Sequence, residues 1–178
     1  MFFQRFFAPR PQALAGRALF MSASQQARNP AFYSLAGAPD THEGRFELYT
    51  LHVVLLLHRL KGEEARVVET RQVLFDSFVR NLDDGLREMG VGDLSVGKKM
   101  RKLGAAVYGR LKSYDEALMG VDQPTAVAAL LTRTLFGGEA APGAAELADY
   151  VIAADARFAA EPTEHFLQGQ VPWPPFPA

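Results

Sequence analysis

Apolar residues recur at three- and four-residue steps through most of this chain, and nowhere do they alternate convincingly with period two, so the pattern predicts helices and no sheet. The strongest amphipathic run is Leu74, Phe75, Phe78, Val79, Leu82, Leu86 and Met89, closed by Gly90, a residue that tolerates the left-handed turn ending many helices. The segment before it, from about Thr41 to Lys61, is apolar nearly all round in its middle, which predicts a helix enclosed by neighbours. Asp40 with Glu43 three residues on has the spacing of a reciprocal helix cap.

Four further helices follow from the same reasoning. One runs from about Gln12 to Arg28, after Pro9 and Pro11 and before the Asn29-Pro30 break, with Phe32 and Tyr33 able to pack back on the body. Another starts at Asp93, read as its cap, and carries Met100, Leu103, Val107, Leu111, Tyr114 and Leu118 along one face to Gly120. A third opens at Asp122 and Pro124, bears Val127, Leu130, Leu131 and Leu135, and stops at Gly137-Gly138. The last follows Pro142 and lines up Leu147, Tyr150, Val151 and Phe158. The tail Gln170 to Ala178 holds too many prolines for helix or central strand. Its Trp173 and Phe176 are expected to dock on the body, because large aromatics are poorly suited to free solution. The expected fold is all-α: a single-domain bundle of about six helices with a Pro-rich tail. Residues 1–39 form a basic, Phe-rich helical segment, 40–160 the helical domain and 161–178 the tail.

Length and composition agree with this. At 178 residues, 48% apolar and 22% charged, the chain suits one domain with a real core. The absence of cysteine removes disulfides, thiol nucleophiles, iron–sulfur ligation and Cys-based zinc sites. The most apolar stretch, Leu48 to Leu57, is far shorter than the ~20 residues of a spanning helix. The net charge of −1 conceals an uneven distribution, basic in the first third and acidic in the last. The first 39 residues contain four arginines, no lysine and no acid, and begin with Phe2, Phe3, Phe6 and Phe7 around Arg5. That composition suits an organelle-targeting peptide, an interfacial foot with Phe among headgroups and Arg5 and Arg10 near phosphates, or a helix docked on the domain.

The common catalytic arrangements are missing. Gly92 to Lys98 matches the opening of a P-loop, but Lys99 stands where a Ser or Thr would bind Mg²⁺, and a helix rather than a strand precedes it. A capped helix start is the better reading. His52 and His58 are six residues apart and diverge on a helix, whereas metal-binding pairs stand three or four apart. No Gly-x-Ser-x-Gly elbow occurs, and the adjacent Asp83 and Asp84 project differently from a helix.

One surface stands out. Between Asp93 and Asp115 lie Lys98, Lys99, Arg101, Lys102, Arg110 and Lys112, with no acid among them. At about 100° per residue these cations fall within about half the circumference, opposite Met100, Leu103, Val107 and Leu111. A helix selected for solubility alone mixes charges at three- and four-residue spacing, so an unrelieved positive face points to a binding surface. It suits anionic lipid headgroups, RNA backbone as on a ribosome, or an acidic partner protein, with Tyr108 adding affinity if it faces outward.

Phe46 to Leu60, Leu74 to Phe78, Asp83 to Met100, Lys98 to Leu103 and Tyr108 to Ala117 together resemble the ubiquinol–cytochrome c chaperone family, over roughly residues 40–160. The most specific part is the Met-Gly-Val-Gly-Asp-Leu segment from Met89 to Leu94. The resemblance implies a non-enzymatic assembly chaperone whose client is cytochrome b or another subunit of ubiquinol–cytochrome c reductase, with no catalytic residue and no cofactor. The short N-terminal region looks bacterial, like an α-proteobacterial version, which implies a cytoplasmic protein or one on the inner face of the membrane and no transit peptide. The residues carried over as client- or partner-binding are Asp93, Lys98, Lys99, Arg101, Lys102, Tyr108, Arg110 and Tyr114. DNA is not expected as a partner. The alternative is an all-α carrier of a lipid, quinone or haem, suggested by the apolar second helix and by His52.

Overall fold

A computed structural model describes residues 10–176, so Phe2 to Phe7 with Arg5 lie outside the described residues. Within them every regular element is a helix: α1 (Pro11–Gln26), α2 (Pro30–Ser34), α3 (His42–Arg59), α4 (Ala65–Glu88), α5 (Asp93–Met119), α6 (Gln123–Thr134), α7 (Gly143–Ala160) and α8 (Thr163–Leu167). Six of these are the expected helices. The two additions, α2 and α8, are five residues each, one turn and a half, too short to leave a 3.6-residue pattern.

Two helix starts differ from expectation. The cap of α3 is Thr41, whose hydroxyl accepts from the Gly44 N–H at 3.1 Å. The chain turns back so closely there that a Cβ on Gly44 would strike the Pro39 carbonyl. Asp40, displaced outward, pairs with Arg45 at 2.6 Å instead. Gly92, not Asp93, precedes the first turn of α5; Asp93 lies within that turn, near the positive helix end, and pairs with Arg87. Asp122 caps α6 as expected, accepting from the Thr125 N–H. Gly90, Gly137 and Gly138 have φ of 77°, 64° and 89°, the left-handed conformation their stop positions require.

The core is built around α3. Leu48, Leu51, Val53, Val54, Leu55, Leu56 and Leu57 are all buried, against α1, α4, α5 and α7. Each such side chain contributes roughly 1.5–3 kcal/mol of transfer free energy. Helix α1 lies along α4 in the same direction: Arg10 meets Glu69 at 3.3 Å, and at Gly16 a Cβ would come within 2.7 Å of the Thr70 carbonyl. Helices α6 and α7 pack on each other and close the other side.

His52, on the apolar face of α3, joins the tail to the body. Its Nδ1–H donates to the Leu48 carbonyl at 2.7 Å, and its Nε2 accepts from the Tyr150 hydroxyl at 3.1 Å. The Tyr150 oxygen in turn accepts from Gln26. Trp173 lies edge-on to His52 at 5.1 Å and donates from Nε1 to Ser22. Phe176 is buried against Phe32 and Tyr150. The tail docks through the two aromatics expected to anchor it. Arg59 ties α8 down, donating to the Phe158 and Glu161 carbonyls at the end of α7 with its guanidinium 5.0 Å from the Phe166 ring centre.

Candidate functional site

Helix α4 is eight residues longer than α1, and the two run in the same direction from nearby starts. Arg10, just before α1, meets Glu69, the fifth residue of α4, so the excess is divided between the two ends and about four residues of α4, roughly 6 Å, extend past the end of α1. The apolar face of α4 continues to that end, where Leu82 is half-buried and Met89 is 56% exposed. The result is an open groove of about 1230 Å³ walled by the last two turns of α4, the first half of α3, the end of α1, α2, and Leu103 of α5. Phe46, Tyr49, Leu82, Leu86, Met89 and Leu103 give it an apolar lining, with Arg28 and Arg45 on its rim. Tyr49 is fixed by its hydroxyl, which donates to Asn81 at 3.1 Å, and by edge contact with Phe78. Burial pushes its hydroxyl pKa up, so it stays a neutral donor.

The cationic face of α5 borders this groove. Lys98, Lys99, Arg101 and Lys102 are exposed and make no ion pair among the described residues. Lys99 stands one turn before Leu103 and about 40° from it around the helix, which puts it beside the groove. On the opposite flank, Tyr108 is 61% exposed, its ring 5.6 Å from that of Phe75. With Val68, Arg71 and Leu111 these rings surround a shallow hollow of about 230 Å³. The cations thus form a band between two apolar surfaces.

Two of the predicted site residues, Arg110 and Tyr114, are engaged inside the fold rather than in this band, and Asp93 is exposed but paired. Arg110 makes a two-pronged pair with Glu47, Nε to Oε2 at 2.8 Å and Nη2 to Oε1 at 2.7 Å, which bolts α5 to α3 beneath the groove. The Glu47 hydrogen bonds hold its guanidinium pKa above the usual value. Arg110 lies about 120° from Lys98 around α5, on the edge of the buried side, so a partner on α3 captures it. Tyr114 is buried, which pushes its hydroxyl pKa up and withholds it from any partner. Asp93 is tied to Arg87. Lys112 is exposed and has only a 3.7 Å approach to Glu116.

The groove residues were read in the sequence as core. The signal that distinguishes them is the length mismatch between α1 and α4, which matters only once the two are known to pair.

Among the described residues, the P-loop-like stretch and His52 and His58 take structural places. The Gly92 to Lys98 stretch forms the start of α5, and among the described residues no group of three or more acidic or histidine side chains could hold a metal. Both ring nitrogens of His52 are occupied, and burial pushes its pKa down to about 4, so it is a neutral core residue. His58 bridges Asp115 at 2.5 Å and Asp155 at 3.4 Å, with Lys61 also on Asp115 at 2.7 Å, linking α3, α5 and α7. Among the described residues no helix is long and apolar enough to cross a membrane.

Residues 35–173 match a family described as Ubiquinol-cytochrome C chaperone. The fold is similar to the crystal structure of the Cbp3 homolog from Brucella abortus, with 32% identity, a TM-score of 0.85, and coverage of 93% of this chain and 92% of that one. No curated protein matches the chain.

Proposed function

This chain belongs to the ubiquinol–cytochrome C chaperone family, and we propose that it is a non-enzymatic assembly chaperone that holds a hydrophobic segment of a respiratory-complex subunit in the groove between α1, α3, α4 and α5. The client of this reading is cytochrome b or another subunit of ubiquinol–cytochrome c reductase, held at the cytoplasmic face of the membrane. The observation that carries it is the groove itself: a chaperone for an apolar client needs apolar surface left uncovered by its own fold, and Phe46, Tyr49, Leu82 and Met89 supply it. The band of Lys98, Lys99, Arg101 and Lys102 beside the groove then contacts acidic client segments or anionic headgroups, each nearby cation contributing ~1 kcal/mol at a lipid surface.

The client reading is favoured over the carrier reading because both nitrogens of His52 are hydrogen-bonded within the fold.

The test is affinity capture from detergent-solubilised membranes of the native host, at low and high salt, with the wild-type chain and the Lys98→Glu/Lys99→Glu/Lys102→Glu variant. Recovery of cytochrome b that falls with salt and in the variant, at unchanged helicity, is the expected result. Equal recovery by the variant overturns the role of the band, and absence of every respiratory-complex subunit overturns the client.

A further inference from the structure

Helix α1 presents an outer face that its place in the fold does not use. Its inner face, Ala15, Gly16, Leu19 and Ala23, is buried, and the contact at Gly16 lays it flat on α4. The opposite side displays Leu14, Arg17, Met21 and Gln25, with Ala18 at its edge against Gly169. Arg10, Leu14, Arg17 and Met21 follow one another at steps of four, three and four, which puts them on a single line down the helix, within about 60°. Leu14 is 53% and Met21 61% exposed, both among the exposed large apolar side chains of the described residues.

Scattered exposed apolar residues are ordinary on a protein surface, but this face differs in two further respects. First, it is acid-free: no Asp or Glu occurs before Asp40, so α1 has none of the oppositely charged pairs that support a solvent-facing helix. The acid that reaches it from outside is Glu69, on Arg10 at 3.3 Å. Glu164, on the neighbouring α8, is already occupied by Arg66. Second, the composition continues upstream: the nine residues before Arg10 are Met-Phe-Phe-Gln-Arg-Phe-Phe-Ala-Pro, again aromatic and Arg-bearing without an acid.

We propose that the outer face of α1 is a membrane-seating surface for anionic phospholipid, with Leu14 and Met21 entering the interface and Arg10 and Arg17 on phosphates. The interleaving decides between polyanions. A nucleic-acid backbone engages the arginines but gains nothing from Leu14 and Met21, whereas a bilayer interface takes both from one helix face. The seat has a consequence for orientation. Arg28, just past the end of α1, lines the groove, so the seated helix leads to the groove mouth and brings it to the bilayer surface. That consequence rests on the client reading; the seat does not.

The test is flotation of the full chain with vesicles of equal parts phosphatidylcholine and phosphatidylglycerol, and with phosphatidylcholine alone, in the absence of any client. The wild-type chain is expected to float with the anionic vesicles and not with the neutral ones. A Leu14→Gln/Arg17→Glu/Met21→Gln variant should lose partitioning by about tenfold or more, because it reverses a headgroup-facing charge and removes both apolar contacts. These side chains face solvent, so the fold should survive, checked by an unchanged thermal transition. The absence of cysteine allows a second reading: an environment-sensitive label on Met21→Cys should shift to the blue on anionic vesicles, and the same label on Glu139→Cys, an exposed residue of the α6–α7 loop, should not. Undiminished flotation of the α1 variant, an unresponsive label at position 21, or binding to RNA but not to vesicles overturns the proposal. Because no client is present, these outcomes are independent of the capture experiment.

Discussion

Lowering the pH should loosen this protein through one buried histidine, and the size of the effect follows from its surroundings. His52 is completely buried on α3, with Nδ1–H donated to Leu48 and Nε2 accepting from Tyr150. A second ring proton would break the Tyr150 bond and leave a charge among Phe32, Trp173 and Tyr150. Burial accordingly pushes its pKa down to about 4, partly countered by the Leu48 carbonyl. In the unfolded chain a histidine titrates near 6.5. The unfolded state therefore takes up the proton first as pH falls. The stability tied to neutral His52 is complete above about 6.5, declines below it, and is lost down to about pH 4. Linkage puts the loss at about 2 kcal/mol between pH 7 and pH 5, and about 3 kcal/mol near pH 4. Burial raises the pKa of Asp155; Asp115, where burial also acts upward, is held below the carboxylate range by hydrogen bonds from His58 and Lys61. Those contributions are common to wild type and variant and cancel in a comparison. The assay is urea unfolding at pH 7 and pH 5, followed by Trp173 fluorescence and far-ultraviolet circular dichroism, for wild type and His52→Gln. Glutamine carries an acceptor that can receive the Tyr150 hydroxyl but does not titrate. Wild type should lose about 2 kcal/mol more than the variant over that interval. Equal losses would refute the reasoning.

Two glycines in helices should respond in opposite ways to alanine. Gly143→Ala drives a Cβ into the Ala36 carbonyl at the start of α7 and should lower the melting temperature by several degrees, whereas Gly104→Ala in α5 meets open space and should raise stability by about 0.5–1 kcal/mol in chemical denaturation. Arg110→Ala leaves Glu47 half-buried without its two-pronged partner. It should cost about 1–3 kcal/mol in chemical denaturation and weaken client capture by displacing the groove floor, whereas Lys112→Ala, on an exposed and loosely paired residue, should leave stability unchanged.

The six long helices were legible because each buries a face at a regular spacing and most end at a residue with a local reason to stop, such as Gly90 or Gly137. The docking of Trp173 and Phe176 was legible from side-chain chemistry alone. Other features depend on pairings that a linear pattern does not contain. The start of α3 falls on Thr41 because the backbone folds tightly at Gly44 against Pro39. Arg110 looked like part of the cationic face, since its angular position borders that face; Glu47 on another helix draws it inward. Tyr114 carried both an apolar ring and a polar tip, and the ring prevailed when α5 packed down. The groove was hidden for a related reason. From Leu74 to Met89 the apolar pattern of α4 is continuous, and nothing in it distinguishes the turns that α1 covers from those it does not. Periodicity reports that a face is apolar; what covers the face depends on the lengths and directions of the helices beside it. Helix α1 ends about four residues short of the end of α4, and towards that end the spacing that would build core builds an open apolar wall.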